Sequence, residues 1–228
     1  MTSEKNNSVL KKIKEAEEKI EVALWLAAED LNFQKELETY RQVKENLLSL
    51  TDLSNEMEKE RNRVLSFCLM RIDNSLGNLG HSEKAVERTK EALNVAEKSE
   101  DLLAISRCLL ALGTRLIEQG EIEEAEKHFN KIFTIAENNP QNKDIQQTKG
   151  WTLITKGHFA HKMGICEEAL VELRKAEEIL RAINNYAGIA QANELMAKVY
   201  LEMEDPANAD RCIVIAEEFK EKALEEKK

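Results

Sequence analysis

The chain has 228 residues, with 33 Lys or Arg against 43 Asp or Glu, a formal net charge of −10, and only 8 Gly and 2 Pro. So few chain-breaking residues exclude collagen-like and Pro/Gly-rich disordered classes and sit badly with a many-turned β fold. The acidic balance argues against a nucleic-acid partner, whose phosphates are held by clustered cations, and the Ala, Leu, Glu and Lys that dominate the chain are the material of long helices.

The N-terminal residues Met1 to Ser8 are polar and have no apolar core, so they do not read as a secretory leader. The longest apolar run, Val22 to Ala28, has seven residues, far short of the roughly 18 that a membrane span needs. A cytoplasmic protein with no membrane partner is expected. Two helices are predicted first, over 8–29 and 32–50. The first carries Leu10, Ile13, Ile20, Leu24, Ala27 and Leu31 in a stripe of three- and four-residue steps broken by Glu17. The second carries Leu37, Tyr40, Val43, Leu47 and Leu50. This pair reads as a cap, a degenerate repeat or a homodimerisation seam, and the sequence leaves the three open.

Eight further helices are predicted over 53–78, 82–98, 101–118, 121–138, 144–163, 166–183, 186–203 and 206–224. They are separated by turn chemistry such as Ser99 to Asp101, Asn138-Asn139-Pro140, Asn184-Asn185 and Asp205-Pro206. The segments repeat one another. Gly80, Gly120 and Gly164 are each followed five residues later by alanine (Ala85, Ala125, Ala169), and Glu204 with Ala209 makes a fourth copy, so the alanines stand 40, 44 and 40 residues apart. Seven residues before the turn stand the small residues Gly113, Gly157 and Ala197, which let two helices approach closely. No such helix pair can bury its apolar face alone, so neighbours must stack.

The segment Leu109-x-x-Leu112-Gly113-x-x-Leu116-x-x-x-Gly120-x-x-x-x-Ala125-x-x-x-Phe129-x-x-Ile132, and the similar one from Gly157 to Ala176, resemble the tetratricopeptide repeat (TPR) in a long-helix form with a period of about 40 residues. The resemblance implies an all-α, right-handed superhelical solenoid of about five antiparallel helix pairs. Residues 1–228 would form a single domain, with repeats at 53–98, 101–138, 144–183 and 186–224 and the degenerate or capping pair at 8–50. Two residues depart from the family pattern in the copy that turns at Gly80: Asp73 occupies the small slot and Thr89 the large apolar slot.

Catalytic signatures for phosphate cradling, dinucleotide binding, serine nucleophiles and zinc peptidases are absent from the sequence. His158 and His161, three apart on one helix, have ligand spacing but no third or fourth ligand. His81 and His128 read as solvated. Cys68, Cys108, Cys166 and Cys212 read as reduced, buried small hydrophobes. No enzyme, no cofactor and no metal are therefore expected. The resemblance implies instead that the concave face holds a ligand, and the positions that would line it are Arg71, Asn74, Arg107, Thr114, Trp151, His158, His161, Lys162 and Lys198. The lysine and asparagine clamp of the chaperone-tail-binding subclass is not reproduced: of its slots, occupied here by Met70, Asn74, Ala111, Trp151 and Thr155, only Asn74 agrees. The expected function is a non-enzymatic protein–protein interaction scaffold or adaptor taking a peptide or helix, acidic in character, of another protein. The alternative is a regulatory or sensor subunit that reads a signalling peptide for an effector on another chain. A ligand held by the histidines would weaken as salt rises and as pH rises through the histidine range.

Overall fold

The computed structural model describes the backbone of residues 2–30 and 32–226 and the side chains of 6–24 and 32–226, so Ala27 and Leu31 of the predicted stripe lie outside the described side chains. The described residues form ten α-helices and no strand: α1 Thr2–Asp30, α2 Phe33–Leu48, α3 Asn55–Asn78, α4 Ala85–Ser99, α5 Leu102–Glu118, α6 Ile122–Asn138, α7 Lys143–Lys162, α8 Cys166–Ala182, α9 Tyr186–Glu202 and α10 Pro206–Glu225. None of them is long and apolar enough to cross a membrane. The chain divides into two compact units, Met1–Ala125 and Glu126–Lys228.

Local chemistry sets the helix ends. Ser54, Asp101, Asn142, Asn185 and Asp205 each accept a backbone N–H in the first turn of the helix they precede, and Pro206 opens α10, where its missing N–H costs nothing. Gly80, Gly120 and Gly164 lie in the left-handed region, with φ of 82°, 83° and 73°, and Glu204 takes that conformation in the fourth copy at φ 58°. A residue without Cβ enters this region freely, which is why three of the four turns use glycine. Lys84 is also left-handed, and it starts α4 at Ala85, three residues after the sequence placed the helix start.

In the first unit α1 to α5 pack in chain order, and in addition α1 touches α3 and α3 touches α5. In the second unit α7 to α10 pack in chain order, and α7 also touches α9. Contacts between alternate helices are what stacking of antiparallel pairs produces. The alanines five residues after each turn, Ala85, Ala125, Ala169 and Ala209, are all buried. A Cβ added at Gly157 would lie 2.6 Å from Leu173 Cγ and 3.1 Å from the Ala169 carbonyl oxygen, so the close approach expected at this small residue is present.

Where the sequence departs from the repeat pattern, the first unit buries carboxylates. Asp73, 1% exposed, is bridged by two arginines: Arg88 Nε donates to Oδ1 at 2.8 Å and Arg115 Nε to Oδ2 at 2.9 Å. Glu36, in the slot that holds alanine elsewhere, accepts from Tyr40 Oη at 2.7 Å, Arg71 Nη2 at 3.0 Å and Ser75 Oγ at 3.0 Å. Burial, and then the bond to Glu36, push the Tyr40 phenol well above its usual 10. Thr89 resolves its polar intrusion locally by donating to the Ala85 carbonyl at 2.8 Å. Glu17, the break in the stripe of α1, receives Arg63 in a two-bond fork at 2.8 and 2.9 Å.

His128 differs from its expectation: it is buried rather than solvated. Cys68, Cys108 and Cys212 are buried, Cys166 is half-buried, and all four are free thiols. Burial pushes the Cys68 and Cys108 thiols up to about 12, and only a thiolate attacks an alkylating reagent. Treatment of the native protein with iodoacetamide at about pH 8 is therefore expected to leave both unmodified and to label them only in denaturant, as read by peptide mass spectrometry. Rapid native labelling of Cys68 or Cys108 would contradict the packing described.

Candidate functional site

The groove residues named from the sequence fall into two sets, Arg71, Asn74, Arg107 and Thr114 in the first unit and Trp151, His158, His161, Lys162 and Lys198 in the second. In the first unit three of the four are engaged within the fold. Arg71 pairs with buried Glu36 and lies with Cζ 6.0 Å from the Tyr40 ring centroid. Asn74 Oδ1 accepts from Arg115 Nη2 at 3.4 Å, and Thr114 Oγ1 donates back to the Leu110 carbonyl at 2.9 Å. Arg107 stands apart. Its guanidinium stacks 5.7 Å from the Phe67 ring centroid, and among the described residues it makes no ion pair. It lines a cleft of about 310 Å³ walled by α1, α3 and the start of α5.

The second unit brings its set together. His158, His161 and Lys162 stand on the C-terminal half of α7, with Lys198 of α9 beside them. Desolvation holds His158 below its ordinary 6.5, and the charges of Lys162, His161 and Lys198 depress it further. His158 Nδ1 is buried with no hydrogen-bond partner. His161 Nε2 is 2.7 Å from Glu202 Oε2 on α9. Lys162 and Lys198 are exposed and make no ion pair among the described residues. Trp151, two turns back on α7, is half-buried and packs against the core of the second unit. The result is a cluster of two unpaired ammonium groups and an imidazole whose proton affinity they suppress, on a chain of net charge −10. Such a local inversion of sign attracts an anionic group.

The sequence pattern singles out none of Glu21, Phe67, Arg88 and Arg115. For Arg88 and Arg115 a signal was available in Asp73, a carboxylate in a slot that other copies fill with a small residue, since a buried charge demands a partner; for Glu21 and Phe67 there was none. Among the described residues no group of three or more His, Cys, Asp or Glu is placed to hold a metal ion.

No protein-family model matches the chain, and no curated protein matches it. Solved structures do. BtubC (BKLC) from P. vanneervenii matches with a TM-score of 0.60 at 16% identity over 95% of this chain and 92% of that one. A Rap conjugation gene regulator solved in complex with a peptide matches with a TM-score of 0.64 at 20% identity over 86% of this chain, which spans about half (51%) of the regulator. TPR-like repeats described as those of a kinesin light chain from Podosopora anserina match with a TM-score of 0.54 at 13% identity over 91% of this chain and 95% of that one. With stacked antiparallel helix pairs in both units and these neighbours, the fold is that of the TPR-like helical-repeat proteins.

Proposed function

We propose that the chain is a non-enzymatic scaffold or adaptor of the cytosol that binds a peptide or helix of another protein, and that the segment it takes at the α7–α9 face is acidic. The observation that carries this reading is the cluster of His158, Lys162 and Lys198, in which neither lysine makes an ion pair among the described residues. The fold supports it, because a solved neighbour of the same fold holds a peptide. That neighbour is a gene regulator, which favours as second reading a sensor subunit that passes peptide occupancy to an effector. Capture from a lysate separates the two: a structural partner in stoichiometric amount supports the scaffold, and a transcription or signalling protein supports the sensor.

The chemistry at the site sets the sign of the pH dependence. An anion seated beside His158 favours the imidazolium, so binding raises the pKa of a group that starts below 6.5 and takes up a proton. Affinity is therefore expected to rise as pH falls through the range below about 6.5 and to be flat well above it. Raising salt from about 50 to 300 mM should weaken binding several-fold. Fluorescence anisotropy with a short Glu-rich peptide tests this, with a Lys-rich peptide of equal length as control. The double reversal Lys162→Glu with Lys198→Glu should cost the Glu-rich peptide at least about tenfold in affinity, or 1.4 kcal/mol. Equal binding of both peptides, or an unchanged affinity in the reversed variant, would remove the acidic segment from this face.

A further inference from the structure

The cleft in the first unit has a chemistry different from that of the α7–α9 face. Of its five charged lining groups, three are already committed. Arg63 is held by Glu17 in the fork described and by Glu60 at 2.7 and 3.0 Å, and Asp101 is occupied in capping α5, accepting from Ala104 N at 2.7 Å. The other two, Arg107 of α5 and Glu21 of α1, line the same cleft and make no ion pair, with each other or with any other described residue. Between them the walls are apolar: Leu24 of α1, Val64, Phe67 and Met70 of α3, and Leu103 of α5. Arg107 is held in place by the Phe67 ring rather than by a carboxylate, so a ligand carboxylate gains a two-pronged donor without breaking a bond within the protein.

We infer that this cleft is a second peptide subsite, one that reads an apolar side chain lying between an acidic and a basic group: the ligand's carboxylate on Arg107, its cation on Glu21, and its apolar side chain against Phe67, Met70 and Leu24. The inference rests on the reading of the protein as a peptide binder and adds the sequence character of what is bound. It also gives α1 of the N-terminal pair a part in binding. Helix α1 supplies Glu21 and Leu24 to the cleft, so it works as a wall of the binding surface and not as a cap alone. A cleft of about 310 Å³ lies at the lower end of the range for ligand sites, enough for one anchoring residue and its flanking charges rather than for a whole helix.

The experiment is selection of a random peptide library displayed on phage against the full chain and, in parallel, against Arg107→Gln and Glu21→Gln. Glu21→Gln keeps side-chain size and Arg107→Gln shortens the side chain and gives up its contact with Phe67, both at positions that support no ion pair, and unfolding midpoints confirm that the variants are folded. For the wild type, a motif of an apolar residue with an acidic neighbour on one side and a basic neighbour on the other is expected at least tenfold over the input. Arg107→Gln should erase the acidic preference and leave the basic one, and Glu21→Gln should do the reverse. Peptides selected without this motif, or with a motif that both variants retain, overturn the subsite and leave the peptide reading standing. Failure to select any peptide overturns both.

Discussion

Replacing Asp73 by Ala is expected to destabilise the first unit by about 3 kcal/mol, at the low end of what breaking a buried ion pair costs. The low end applies because the two partners are not fully enclosed: the Arg88 and Arg115 side chains keep 24% and 18% of their exposure, against 1% for Asp73. Removal of the carboxylate leaves Arg88 with no acidic partner and Arg115 with Glu118 alone, and water reaches both guanidinium groups only in part. Asn74, which accepts from Arg115, and Glu118, 3.0 Å from Arg115 Nη1, recover some of that loss. Urea denaturation followed by circular dichroism measures it. Because the chain forms two compact units, the transition of the first is the one expected to move. A triple variant, Asp73→Ala with Arg88→Met and Arg115→Met, should recover much of the stability, since apolar packing commonly replaces a buried ionic group without loss. If Asp73→Ala unfolds at the wild-type midpoint, the buried bridge is not part of the folded protein.

Replacing Gly157 by Leu is expected to cost the second unit about 3 kcal/mol or more. Even the first atom of the new side chain falls 2.6 Å from Leu173 Cγ and 3.1 Å from the backbone oxygen of Ala169. Neither is the free end of a flexible chain, so α7 and α8 must separate, and overpacking of this kind costs about 1–3 kcal/mol for smaller insertions. Gly157→Ala is the informative companion. Alanine gains about 1 kcal/mol of helix propensity over glycine, but the clash at Leu173 should exceed that gain and leave a net loss. Trp151 lies on α7 of the same unit, so its fluorescence reports the transition. An alanine variant more stable than wild type would mean that the two helices do not meet at Gly157.

These two sites also show what the sequence disclosed. Gly157 and the alanines that follow each turn were legible because they answer a local demand, the approach of two helices adjacent in the chain. Asp73 and Glu36 were visible only as residues in the wrong slots. Their partners Arg88, Arg115 and Arg71 lie 15, 42 and 35 residues away, and nothing in a linear pattern joins a carboxylate to a guanidinium at such distances. The same limit explains why Arg71 reads as a ligand-facing residue from its place on α3: helical spacing gives the direction of a side chain but not the buried acid that receives it. His158, His161 and Lys162 were legible together because one helix carries them, and Lys198 joined them through the family resemblance. The cleft of Glu21, Phe67 and Arg107 was not legible, since it is made by three helices whose meeting is a matter of packing alone.

Binding of an acidic peptide segment at the α7–α9 face is decided by an NMR titration of the labelled full chain with the short Glu-rich peptide. Chemical-shift changes concentrated at His158, His161, Lys162 and Lys198 are expected, with a His158 titration that moves upward when the peptide is bound. Shifts confined to other helices, or a His158 titration that stays where it is at saturating peptide, would contradict it.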